Sequence, residues 1–187
     1  MNGYILMKNT LLLLTLFTLA FSSCKLDDGT VLDDTPEPDE NIVVVTNLDN
    51  SLILKLINER RTAGCTCGNT ATGIVVMPPV PALTWNNLLA KAAAVNSVDM
   101  NARKVQVLDH NSPVTGTPTE RVTATGYKWK YTAENLASGF IDEVAVVNGW
   151  TSSKGHCENF MSPLIKEMGA AKDGIYWTNV FGTKIAK

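Results

Sequence analysis

The sequence predicts an α+β fold, a small antiparallel sheet flanked by helices, and three observations carry that expectation. Apolar residues recur at helical spacing in two segments, near residues 51–63 and 86–100. The pair Asp173-Gly174 stands between two apolar runs, Ile165 to Ala171 and Ile175 to Phe181, which is the strongest short signal for a β-hairpin. Ala133 to Ser138 adds a short strand. At 187 residues with near-average apolar content, the chain has room for one ordinary core, and no internal repeat divides it.

That core does not start at residue 1. Lys8 precedes Leu11, Leu12, Leu13, Leu14, Leu16 and Phe17, a run too short for a mature membrane span and right for a secretory h-region. Ser22, Ser23 and Cys24 follow, and this ending resembles the lipobox of bacterial lipoproteins. Residues 1–23 therefore read as a lipoprotein signal peptide, begun at Met1 or Met7, with Cys24 as the lipidated mature first residue. An ordinary secretory leader is the alternative. Residues 24–41 hold Asp27, Asp28, Asp33, Asp34, Glu37, Asp39 and Glu40 around Pro36 and Pro38. With so little apolar surface to offset ordering, they read as a self-repelling tether. Residues 42–187 are the expected domain. From residue 41 on, basic side chains outnumber acidic ones but form no run, so nucleic acid is not an expected partner.

Within the domain, Asn50 and Ser51 offer N-caps for a helix carrying Leu52, Ile53, Leu56 and Ile57, with Gly64 as its stop. Residues 65–84 contain Pro78, Pro79 and Pro81 and read as an ordered, extended loop. A second helix begins near Asn86, with Leu89, Ala92, Ala93 and Met100 on one stripe. Asn96 interrupts that stripe, which places a polar pocket beside it. From Val105 to Lys130 turn residues dominate, giving a long loop with one short helix near Thr119 to Thr125, and a loop of that length is usually functional. Asp142 and Glu143 suit a helix N-terminus ahead of Val144, Val147 and Trp150. The β-branched run in that segment argues for strand instead.

Two histidines carry most of the chemical interest. His110, in Asp-His-Asn-Ser-Pro, and His156, in Gly-His-Cys, both occupy turn chemistry and not apolar stripes. Glu134 falls in a half-buried strand, and a buried carboxylate needs a positive or hydrogen-bonding partner, which a histidine can supply. Two imidazoles and one carboxylate make an incomplete shell for zinc or another divalent cation, completed by water. The alternative is a His-Glu pair that positions loops and binds no metal. No HExxH-like spacing decides between them.

Six segments in order, LINERRTAG, PALTWNNLLAKAAAVNSVDM, DHNSPVTGTPTERVTATGY, AENLASG, VVNGWTSSKGHCENFMSP and YWTNVFG, resemble a bacterial CAP (SCP) domain. That superfamily includes the plant pathogenesis-related proteins and the animal cysteine-rich secretory proteins. The resemblance covers residue 50 to the C-terminus and implies an α-β-α sandwich with a surface cleft. It also implies a helix from Asp142 to Trp150. Carried over by position, a cleft tetrad of two histidines and two glutamates places His110, Glu134 and His156. The second glutamate falls at Ser153, a departure that puts in doubt any catalysis built on the full tetrad.

Cys65, Cys67 and Cys157 remain, and an exported chain tends to oxidise them. A Cys-x-Cys ring is strained, so a bridge from the first loop to Cys157 is expected, with Cys67 as the partner and Cys65 as the alternative. The functional expectation is a surface-anchored, monomeric binding module, held at the outer membrane or cell surface by its N-terminal lipid, or secreted. Its cleft would take a divalent cation, a small apolar ligand, or an envelope or host component. The alternatives are a zinc-dependent hydrolase with Glu134 as base, and a structural envelope protein without a ligand.

Overall fold

The computed structural model describes residues 41–186. The signal peptide, Cys24 and nearly all of the acidic tether lie outside the described residues. The domain runs α1 (Asn50–Ala63), β1 (Cys65–Asn69), β2 (Gly73–Met77), β3 (Thr84–Trp85), α2 (Asn87–Arg103), α3 (Pro118–Ala124), β4 (Trp129–Ser138), α4 (Glu143–Thr151), α5 (Lys154–Met161), β5 (Glu167–Asp173) and β6 (Tyr176–Lys184). Four strands form the main sheet in the order β3-β5-β6-β4, antiparallel except for the two-residue pairing of β3 with β5. This is the expected α+β class.

Alternation along the strands sorts the helices into two layers. On β6, Trp177 and Phe181 join the core that contains Ile53 and Ile57 of α1, Val147 and Trp150 of α4, and Phe160 of α5. Val180 points the other way, into the core made with Leu88, Leu89, Ala92 and Ala93 of α2 and Val122 of α3. The result is the α-β-α layering that the resemblance implies. Gly169 of β5 is what lets α2 lie so close: a Cβ there would stand 2.0 Å from the backbone nitrogen of Ala90.

Caps set the helix starts. Asp49, and not Asn50 or Ser51, caps α1, accepting a bond from the Leu52 amide. Asn86 caps α2 through Leu88 and Leu89, and Asp142 caps α4 through Ala145. The Asp142 segment is thus helical despite its β-branched run. Asn96 is fully buried between α2 and the sheet and donates to Thr178 Oγ1 at 3.3 Å.

The expected loop at 65–84 holds a separate two-stranded hairpin, β1 paired with β2. Asn69 builds its turn, its Oδ1 accepting from the amides of Ala71 and Thr72, while Gly68 and Gly73 adopt positive φ. The short polar β1 and the exposed Ile74 and Val76 of β2 give no clean alternation, so periodicity misses the hairpin. The second hairpin turns one residue later than expected, at Gly174 and Ile175, with Asp173 paired to Tyr176.

Candidate functional site

β4 is an edge strand, bonded to β6 on one side only. Successive residues of a strand face opposite ways, so Glu134 turns toward the α2/α3 layer and Asn135 toward α5. Arg121 and His110 meet Glu134 on one side of the strand, and α5 is fastened to Asn135 on the other.

From the α3 side comes Arg121. A capping box fixes the start of α3: Thr117 Oγ1 accepts from the Glu120 amide, and Glu120 Oε2 accepts from the Thr117 amide at 2.7 Å. One residue on, the Arg121 guanidinium reaches back to the carbonyls of Gly116 (2.6 Å) and His110 (3.0 Å). The same group donates to Glu134 Oε2 at 2.8 Å and Oε1 at 3.1 Å. Both side chains are almost fully buried, 1% exposed for Arg121 and 2% for Glu134. A carboxylate buried to this degree requires such a counter-charge. Histidine was the partner expected from sequence; the arginine, in the run Thr-Glu-Arg-Val, was missed. A helix-start signal beside the His110 loop was the clue available.

His110 is the second partner. Its loop is pinned by the paired bonds between Ser112 and Gly116 and by the arginine. Its Nδ1 lies 2.9 Å from Glu134 Oε1. An ionised carboxylate only accepts, so Nδ1 carries the hydrogen and Nε2 is directed away from the pair. The ring is half exposed. The hydrogen bond to Glu134 raises the His110 pKa above its ordinary 6.5, against a partial desolvation.

His156 comes from α5, the other layer. Asn135 Nδ2 donates to the His156 carbonyl at 2.9 Å, and Asn159 Nδ2 donates to Asn135 Oδ1 and to the Glu134 carbonyl. These amides fasten α5 across the edge of β4. Burial lowers the His156 pKa below 6.5, and the charge on His110 lowers it further. Among the described residues, His110, Glu134 and His156 do not bring three donor atoms within 4.8 Å of one another. Ser153, at the position of the absent second glutamate, is the N-cap of α5 yet makes no side-chain capping bond. Glu158 pairs with Lys154 at 3.9 Å on the surface and takes no part.

Among the described residues, the side chains whose donor atoms gather within 4.8 Å as a potential metal set are Cys65, Cys67 and Cys157. Cys67 and Cys157 are joined in a disulfide, with Cα atoms 5.4 Å apart. That leaves one thiol, so the sulfur set does not fit a cation in this state. A surface pocket of about 340 Å³ lined by Lys130, Tyr131, Pro163, Leu164, Lys166 and Thr183 shares no residue with the histidine site. No helix among the described residues is long and apolar enough to cross a membrane.

Comparison with known proteins places the fold. The chain is 33% identical over 101 residues to the uncharacterized protein YkwD of Bacillus subtilis (strain 168), covering 53% of this chain and 38% of that protein. It thus spans well under half the length of that curated relative. Among solved structures it is similar to an extracellular protein containing an SCP domain from Bacillus anthracis str. Ames, with a TM-score of 0.62 and 25% identity over 74% of this chain and 41% of the other. The fold is shared with an outer surface protein from Borrelia burgdorferi, with a TM-score of 0.56 and 21% identity over 72% and 92% of the two chains. The profile of the CAP, or cysteine-rich secretory protein, family matches residues 54–174, more than half of the sequence. The chain belongs to the cysteine-rich secretory protein (CAP) family.

Proposed function

We propose that this protein is an exported, envelope-anchored binding module whose site over the β4 edge takes a divalent cation through His110 Nε2 and the His156 imidazole. The observation that carries this reading is the Arg121-Glu134-His110 chain. A carboxylate that fixes the tautomer of a histidine and points its other nitrogen outward is the usual support for a metal-binding imidazole. Glu134 is then the orienting group and not a direct ligand. Water would complete the shell. Export is supported by the leader-like N-terminus and by the extracellular and outer-surface character of two structural relatives. Lipid anchoring at Cys24 is supported by the lipobox resemblance.

The reading favours binding over hydrolysis. Glu134 is almost fully buried, with Oε1 held by His110 and Arg121 and Oε2 by Arg121, so it is poorly placed to take a proton from water. Ser153 offers no replacement carboxylate. Calorimetric titration of Zn²⁺ into the chain from residue 41, beside His110→Ala and His156→Ala, tests the proposal. Binding that is lost in both variants is the expected result. Binding unchanged in both would refute the site.

A further inference from the structure

Cys65 is a free thiol, but it does not stand by itself. Strand side chains repeat with period two, so β1 turns Cys65 and Cys67 to one face. That face packs on α5, which supplies Cys157. A third sulfur is thereby brought against both members of a disulfide: Cys65 Sγ lies 3.6 Å from Cys157 Sγ and 3.7 Å from Cys67 Sγ. Exchange of a disulfide begins when one sulfur reaches another along the line of the S–S bond, and Cys65, beside that bond at nearly equal distances, comes into line by a shift of its side chain and strand.

We propose that Cys65 is an internal exchange thiol, so that the covalent link between the β1-β2 hairpin and α5 passes between two pairings, Cys67–Cys157 and Cys65–Cys157. In the step, Cys65 loses its proton to water and its thiolate forms a bond to Cys157 Sγ. The Cys67–Cys157 bond breaks, its electron pair leaves on Cys67 Sγ, and that sulfur takes up a proton. One disulfide and one thiol stand on each side, so no outside oxidant or reductant enters. The pairings differ in what they offer a thiol-reactive molecule. Cys65 is partly exposed, whereas Cys67 is fully buried, so exchange withdraws the free thiol that is reachable among the described residues.

The surroundings set the pace. Burial pushes the Cys65 thiol above its ordinary range, and Arg60 of α1 acts in the opposite sense. β2, across the hairpin, carries no titratable side chain. From α5, Lys154 lies against Gly68 and Gly73 and is paired with Glu158. The thiolate is the nucleophile, so exchange is slow near neutrality and accelerates as pH rises.

The test uses the full chain in detergent with Cys24→Ser, which removes the cysteine outside the described residues. Samples are held at stepped pH without reductant, unfolded in mild acid, alkylated with a maleimide and mapped by mass spectrometry without reduction. Label on both Cys65 and Cys67 is expected, with the second site filling about tenfold faster per pH unit while the thiol is still protonated. Label confined to a single cysteine at every pH overturns the proposal. Cys67→Ser supplies an independent readout: if folded by circular dichroism, it should oxidise to a Cys65–Cys157 bond. A folded variant that fails to do so also overturns it.

Discussion

Arg121 holds the site together residue by residue, since it binds the His110 and Gly116 carbonyls and both oxygens of Glu134 from a buried position. Removing one partner of a buried pair leaves an uncompensated charge. Arg121→Met should therefore cost about 3–5 kcal/mol, read by urea unfolding. Adding Glu134→Leu should restore part of that loss. The histidines give a second prediction through their opposite shifts. His110, raised above 6.5, stabilises the fold fully below 6.5, and the contribution is lost as pH rises through its folded pKa. His156, lowered below 6.5, contributes stability above 6.5 that is lost as pH falls through its folded pKa. Against wild type, His110→Gln should thus be most destabilised in acid, and the stability gap of His156→Gln should narrow there. Unfolding curves across that range check both signs. The sequence made His110, Glu134 and His156 candidates because they are polar in turn or strand settings. It concealed Arg121, because the capping signal of α3 sets the helix beside the His110 loop without saying that one side chain folds back under it.

Elements that were legible are those with a cap and a stripe. α1, α2 and α4 could be read from Leu52 to Ile57, from Leu89 to Met100, and from Asp142 to Trp150 with the help of the family resemblance. The β1-β2 hairpin could not, because the Asn69 turn is flanked by strands without clean alternation and the tie to α5 acts across distance. Close approach between elements is equally silent in a sequence. Gly169 reads as an ordinary strand glycine, yet any Cβ there would meet the Ala90 and Leu89 backbone of α2. Gly169→Ala should cost at least about 1–3 kcal/mol by overpacking, measured by thermal or urea unfolding. A neutral result would mean that α2 can move off β5 freely. Arg61 of α1 belongs to the same class: fully buried, it donates to the carbonyls of Phe160 and Ser162 at the end of α5, and burial lowers its pKa to about 10.

Across the whole domain, two helical layers pack on opposite faces of one sheet, and His110 and His156 belong to opposite sides of its β4 edge. The layering was readable because six segments in fixed order identify the family; the sides taken by the two histidines were not, because they depend on the register that sends Glu134 and Asn135 to opposite faces. One covalent link spans this arrangement, closing a loop with a sequence separation of 90. Cys157→Ser should lower stability by about 2–5 kcal/mol in denaturant unfolding.

Whether the two imidazoles serve one site is read most directly by ring-nitrogen NMR of both histidines during titration with Zn²⁺. The account predicts that His110 Nε2 and a His156 ring nitrogen shift together and saturate at one equivalent, while His110 Nδ1 keeps its hydrogen. Shifts confined to one histidine, or loss of the Nδ1 hydrogen on metal addition, would contradict it.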